Sequence, residues 1–398
     1  MKYPLSLPAL VCGDAREWLS RLPDKVFHCC VTSPPYWGLR DYGLGHTVWG
    51  GNPRCDHVWG DELEHGRRGK RGVSGTGGDR HPSLDKAGQG PGSGGGGCFC
   101  RFCNAWKGSL GLEPCPELYV ENLVAIMRQV YRVLRDDGTL WLNLGDSYSG
   151  KPLKGIKSKE LVGIPWRAAF ALRQDGWYLR SDIIWHKTNP MPESVKDRCT
   201  KAHEYIFLLT KSKKYYYDAS AIKEPEVCGR MRGPARQDDE RSTNGNSGLG
   251  RRQGTGFRNR RDVWAIATRP YKGAHFATFP PDLVTPCVIA GTSEKGCCSE
   301  CGAPWMRILR KRNPVVNDDA QTGNEAVRHD GGVRERAPKG SEGGNVLATR
   351  TESTDEWEPS CKCDAPVTAC RVLDPFGGSG TTGQVARRNN RDFFVDRA

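Results

Sequence analysis

The chain has 398 residues, with 59 Lys+Arg, 46 Asp+Glu and 17 Cys, and a formal charge of +13. That length fits two to three domains or one large elaborated α/β domain, and the apolar content excludes wholesale disorder. No apolar run approaches the ~18 residues of a membrane helix, and Met1–Ala15 is a poor secretion signal, so the expected setting is intracellular and cytoplasmic, with cysteines serving as metal ligands or buried thiols rather than disulfides.

In chain order, Leu7–Cys12 reads as a short strand ending at Gly13-Asp14, and Arg16–Leu22 as a short helix. Val26–Thr32 is rich in strand formers and ends in Ser33-Pro34-Pro35-Tyr36, where two prolines without N–H groups must stop it. Gly66–Gly97 holds 13 Gly against three aliphatics, Val73, Leu84 and Ala87. It cannot bury a core and reads as a flexible insertion. Leu118, Leu123, Met127, Val130, Tyr131 and Leu134 recur at helical spacing over Glu117–Leu134. Asp137-Gly138 then turns the chain into the strand Thr139–Leu144, whose end at Asn143, Gly145 and Asp146 is where a ligand crevice would lie. Pro165–Arg173 reads as a helix, and Trp177–His186 and Glu204–Thr210 as strands. Cys228–Arg261 holds nine Arg and three acids, so it supplies +6 of the +13. It is either a solvated loop or one that contacts phosphates. Asn313–Glu356 is polar and without periodicity. Arg371–Leu373, Gln384–Arg388 and Phe393–Val395 read as strand, helix and strand. The alternation predicts an α/β fold with a mostly parallel sheet.

Between the last two strands lies Asp374-Pro-Phe-Gly-Gly-Ser-Gly-Thr-Thr382. Glycines there permit a tight turn and let a ligand approach backbone N–H groups at a helix start. No basic residue lies between Asp374 and Gln384, which argues against a phosphate loop. Asp396 follows Asp374 by 22 residues, a spacing suited to ribose hydroxyls.

Asp374–Thr382 and Thr32-Ser33-Pro34-Pro35-Tyr36-Trp37 together resemble the cofactor and catalytic motifs of the amino-group DNA methyltransferases, which use S-adenosylmethionine. The catalytic string comes first and the cofactor string last, which resembles the circularly permuted, beta-type order of that family. The resemblance implies a Rossmann-like seven-stranded methyltransferase sheet with one antiparallel strand. It also implies cofactor contacts from Asp14, Thr32, Phe279, Asp374, Phe376, Gly377, Gly378, Ser379, Gly380, Thr381, Thr382 and Asp396. Phe279 belongs to His275–Asp282, which is similar to the family's helix along the methionine moiety. The catalytic set is Ser33, Pro34, Pro35 and Tyr36, and double-stranded DNA is the implied partner. Homodimer formation and a partner restriction nuclease are not legible in the residues. Ser33, where many relatives carry Asp, resembles cytosine-N4 more than adenine-N6 enzymes. RNA or protein amine methylation, and a non-catalytic zinc-bearing DNA-binding protein, are the other readings.

The chemistry suits these residues. An exocyclic amine needs acceptors for its two hydrogens, so that its lone pair turns toward the methyl group. The Ser33 hydroxyl and Pro34 carbonyl can accept, and the prolines fix their direction. A sulfonium methyl is already activated, so positioning is most of the work. Tyr36 can stack on a base taken out of the duplex. Carbon-5 cytosine methylation would need a Pro-Cys nucleophile. Pro114-Cys115 and Pro286-Cys287 exist, but their order and spacing do not match that chemistry. Lys187, Arg198 and Lys201 each read either as a phosphate contact or as solvated surface.

Two cysteine groups have metal-ligand spacing. Cys55-x-His57 with Cys100-x2-Cys103, and Cys298-x2-Cys301 with Cys361-x-Cys363, each offer four ligands for structural zinc, with Cys98 and Cys297 as spares. Each would pinch the base of a long loop. The remaining cysteines, Cys370 among them, read as single thiols. The expected organisation is catalytic domain over 1–54, Gly-rich zinc-pinched insertion over 55–103, catalytic domain again over 104–214, target recognition over 215–269, a cofactor-lining helix segment over 270–296, a zinc-ribbon-like insertion over 297–363 and the cofactor motif over 364–398.

Overall fold

The computed structural model describes residues 6–39, 45–63, 97–225, 257–269, 279–312 and 350–396. The Gly66–Gly96 insertion, most of Cys228–Arg261, His275–Thr278 and residues 313–349 lie outside the described residues.

One eight-stranded sheet organises the described residues. Its strands are β1 (Ala9–Val11), β2 (Phe27–Thr32), β3 (Leu134–Leu144), β4 (Tyr178–His186), β5 (His203–Thr210), β6 (Val263–Ala265), β7 (Arg371–Asp374) and β8 (Asp392–Asp396), in the spatial order β1-β8-β7-β2-β3-β5-β4-β6. β5 runs antiparallel to both of its neighbours, and all other pairings are parallel. The expectation of seven strands is corrected by β6, a three-residue edge strand anchored by buried Trp264. Within 215–269, β6 and buried Tyr216 and Ile222 pack in the fold.

All six residues of β2 are buried, as a parallel strand covered on both faces requires. Alternation along it divides two cores. Cys30 joins Leu19, Leu123, Val130 and Leu172, from α1 (Ala15–Arg21), α2 (Pro116–Val133) and α3 (Ile164–Gln174). Cys29 and Val31 join Leu283, Val288 and Val385, from α4 (Pro281–Gly291) and α5 (Thr381–Arg388). The sheet is therefore sandwiched between three helices and two. Asp137-Gly138 does not end a helix-to-strand loop as expected. β3 starts at Leu134, directly after α2, and the extra residues form a bulge opposite Phe27–Cys29.

Smaller sheets carry the cysteine groups. Thr47–Trp49, Trp106–Gly108 and Cys98–Phe99 form an antiparallel triplet, and Cys297–Cys298 pairs with Val367–Thr368 beside the long hairpin Trp305–Arg312/Arg350–Pro359. No helix among the described residues is long and apolar enough to cross a membrane.

Candidate active site

The C-terminal ends of β2 and β7 lie side by side, so the two strings read from the sequence meet. Thr32 and Asp374 are fully buried there. Asp374 accepts from Thr32 Oγ1 at 2.7 Å, from Thr382 Oγ1 at 2.7 Å and from the Phe376 N–H at 3.1 Å. Burial pushes its carboxyl up to about 6, with Thr382 and Thr32 opposing the rise. Asp374 and Thr32 thus spend their polar atoms on each other and on the turn.

The turn itself is tight. Gly377 N–H donates to Asp396 O at 2.7 Å, and a Cβ at Gly377 would stand 2.0 Å from Val395 Cγ1. Only glycine fits. Gly380 is left-handed and caps α5, which starts three residues earlier than expected, at Thr381. Ser379 Oγ and Thr381 Oγ1 are 2.9 Å apart. Phe376 packs on the main core and Phe279, just before α4, on the other.

Asp396 ends β8 beside this turn. It is 1 % exposed, and its carboxylate faces the Gly13 backbone N–H. Burial pushes its carboxyl up to about 7, and nearby Asp14 and Asp374 add to the rise. A buried carboxylate next to a glycine turn, with lone pairs to spare beyond the Gly13 N–H, fits a ligand that offers hydroxyl donors. Asp14, three residues beyond β1, is already engaged. It caps α1 through the Arg16 N–H at 2.7 Å and pairs with the Arg16 guanidinium at 2.8 Å.

The catalytic turn is clamped from behind. Tyr119 Oη, on α2, donates to Pro35 O at 2.9 Å. Trp37 Nε1 donates to Glu113 O at 2.9 Å, and Gly38 N–H to Gly111 O at 2.8 Å. The Glu113 carboxylate accepts from the Gly111 N–H at 2.8 Å and from Asn122 Nδ2 at 3.0 Å. Burial pushes that carboxyl up to about 7.

A polar cluster lies in front. Ser33 Oγ donates to Tyr36 Oη at 3.2 Å. Tyr36 Oη lies 2.7 Å from Glu204 Oε2 and 2.9 Å from Asn143 Oδ1. Asn143 Nδ2 donates to Tyr205 O at 3.1 Å, and Lys187 Nζ pairs with Glu204 Oε1. Gly145 leaves room for the Tyr36 ring, because a Cβ there would stand 2.6 Å from Tyr36 Cε2.

Glu204, Glu113, Tyr119 and Gly111 were not found from the sequence. The one available signal for Glu204 was an acid at the mouth of an otherwise apolar strand. Asp146 is spent on local structure: it accepts the Ser147, Gly163 and Ile164 N–H groups and holds the start of α3. The three candidate phosphate contacts are engaged or buried within the fold. Lys187 pairs with Glu204, Arg198 with Glu193 at 2.6 Å, and the Lys201 ammonium is buried. Cys287 is buried within α4, with its thiol pushed well up by desolvation, which disarms the Pro286-Cys287 nucleophile.

Both cysteine quartets assemble. In each of Cys55/His57/Cys100/Cys103 and Cys298/Cys301/Cys361/Cys363 the ligand atoms lie within 4.8 Å of one another. Cys55 and Cys100 sulfurs are 3.8 Å apart, about the edge of a tetrahedron with Zn–S near 2.3 Å. The two Cys-x2-Cys turns match. After each, a left-handed residue (Asn104, Gly302) donates its N–H to the first cysteine's carbonyl, at 3.1 and 2.9 Å. A third group joins Cys297 and Cys370 to His28, which corrects the reading of Cys370 as a single thiol. Both His28 ring nitrogens are already engaged, with the Arg371 N–H and Gly302 O.

A glycine turn beside a buried acid, tied through Thr32 to the strand that leads into a Ser-Pro-Pro-Tyr turn, fits an S-adenosylmethionine-dependent methyltransferase. The chain belongs to the DNA methylase family of N6/N4 amino-methyltransferases, whose model matches residues 27–298. It is 38% identical over 301 residues to Type II methyltransferase M.Cfr9I of Citrobacter freundii, covering 70% of this chain and 71% of that one. It is also 38% identical over 308 residues to Type II methyltransferase M.SmaI of Serratia marcescens, covering 72% and 76%. Among solved structures, the PvuII cytosine-N4-specific DNA methyltransferase aligns at 13% identity and a TM-score of 0.47, over 100% of this chain and 83% of that one. The protein is thus a site-specific Type II DNA methyltransferase that acts on an exocyclic amine.

Proposed function

We propose that the target is the N4 amine of cytosine within one duplex sequence, the base being swung out to meet Ser33. The observation that carries this reading is Ser33 itself, a hydroxyl at the first position of the turn whose proton is directed to Tyr36. Its lone pairs then remain to accept one amine hydrogen, and the Pro34 carbonyl accepts the other. Pro34 and Pro35 hold both acceptors in place, and the Tyr36 ring stacks on the base.

Bound S-adenosylmethionine supplies an activated methyl. The residues that would hold it are Asp396 at the ribose, the Phe376–Thr381 turn at its backbone, and Phe279 along the methionine moiety. Asp14 acts through Arg16 and α1, and Asp374 and Thr32 act by fixing the turn. The order of the two motifs supports a circularly permuted arrangement. Structural zinc in both quartets is part of this proposal, because four soft ligands at tetrahedral spacing leave no open position for catalysis.

The test is to incubate duplex DNA with the protein and S-adenosylmethionine, digest it to nucleosides and weigh them. N4-methylcytosine is expected; N6-methyladenine alone overturns the cytosine reading.

A further inference from the structure

The polar groups behind Ser33 form a chain that ends on a carboxylate. Ser33 Oγ donates to Tyr36 Oη, and Tyr36 Oη reaches Glu204 Oε2 at 2.7 Å. A charged acceptor takes the Tyr36 proton in preference to the neutral Asn143 oxygen at 2.9 Å. Lys187 fixes the other oxygen, Oε1, which leaves Oε2 for Tyr36. The Lys187 and Glu204 side chains are 22% and 14% exposed, so the pair sits largely out of water. Three elements supply it: the turn after β2, the start of β5 and the residue after β4.

Methyl transfer leaves a proton to be placed. A protonated serine hydroxyl or proline carbonyl is far too acidic to be a resting place for it, whereas a carboxylate is a much stronger base that can take the proton and then hand it to solvent. We propose that Glu204 is the terminal proton acceptor of the reaction, reached through Tyr36 and Ser33. This rests on the reading that Ser33 meets the target amine. The amine lone pair forms the N–C bond as the C–S bond breaks, with its electron pair staying on sulfur. The nitrogen, now positively charged, passes one proton to Ser33 Oγ. Ser33 passes its own to Tyr36 Oη, and Tyr36 passes its own to Glu204 Oε2. Ser33 and Tyr36 regain their composition, Glu204 becomes a neutral acid, and its proton leaves to solvent before the next turnover. Glu204 is a positioning residue in that it acts through two others. The groups that face it are Lys187, the Tyr36 hydroxyl and the Asn143 amide, with Lys201 and His203 close along the chain.

Glu204→Gln keeps size and an acceptor for Tyr36 but cannot hold a proton. Single-turnover methylation should fall by about 10²-fold or more, with the low-pH limb of its pH profile altered. Affinity for S-adenosylhomocysteine, by calorimetry, and for duplex DNA, by mobility shift, should be unchanged. Glu204→Asp should recover part of the rate. Tyr36→Phe keeps the stacking ring and cuts the same chain, so the double variant should lose no more than the worse single one. Glu204→Gln at the wild-type rate, or losses that multiply in the double variant, overturns the relay. If Glu204→Gln does not fold, a Tyr36→Phe rate within about threefold of wild type overturns it. Wild-type protein that methylates no DNA overturns the underlying reading instead.

Discussion

Thr32 Oγ1 donates a 2.7 Å hydrogen bond to Asp374 Oδ1 across 342 residues of sequence. It ties the strand that carries the catalytic turn to the strand that carries the cofactor turn, at the depth where both are fully buried. Asp374→Asn replaces an acceptor with a donor that faces Thr32 or Thr382, each already donating. The expected cost is about 1–3 kcal/mol. Urea denaturation should show it as a lower midpoint with unchanged slope, and calorimetry should show weaker binding of S-adenosylhomocysteine.

Asp396 predicts how that binding depends on pH. Its carboxyl is raised to about 7 in the free protein, because burial disfavours its charge. Ribose hydroxyls donate, so they need the ionised form. Below pH 7 a proton must first leave, and affinity should weaken about tenfold per pH unit there, then level off above 7. Folding alone has the opposite trend. A raised carboxyl contributes stability that is full below its unfolded pKa of about 3.9 and is lost as pH rises through the folded value. Titration in buffers of different ionisation enthalpy should detect the released proton. Asp396→Asn should bind weakly and without pH dependence; an unaltered pH profile in that variant would remove Asp396 from the site.

Gly145→Ala places a methyl 2.6 Å from the Tyr36 ring. The ring must turn away, parting Tyr36 Oη from Glu204 and Asn143. Methyl transfer should drop by about 10²-fold while S-adenosylhomocysteine affinity holds, since the cofactor turn lies on other strands. A normal rate would show that Tyr36 need not sit where it does.

The two quartets should bind about two zinc ions per chain by emission spectroscopy, and their losses should differ. The first is continuous with Trp106–Glu113, which clamps Trp37 and Gly38. Cys100→Ser should therefore lower kcat. The second rests on Arg135 and His28, near the opposite ends of β3 and β2 from the catalytic turn. Cys301→Ser should lower the melting temperature and leave kcat nearly intact.

The local strings were legible in the sequence because their chemistry is local. Ser33–Tyr36 and Asp374–Thr382 each place a turn, its direction and its polar atoms within a few residues. The parallel sheet was legible for a similar reason, as buried runs such as Phe27–Thr32 alternate with helical spacing. What escaped was supplied from a distance. Glu204 reaches Tyr36 from an antiparallel strand 168 residues on, and Glu113 supports the turn from a loop 76 residues beyond Trp37. Charge alone did not decide between the two readings of Lys187, Arg198 and Lys201. Nothing in their immediate sequence shows that the fold supplies Glu204 and Glu193 as partners or buries the third ammonium.

The most direct test of the account is the modification pattern that this chain writes. Genomic DNA from a methylase-free host expressing it should carry N4-methylcytosine at one fixed position of one short duplex sequence, and the Ser33→Ala variant should leave that sequence bare. N6-methyladenine at that sequence, or full modification by Ser33→Ala, would contradict it.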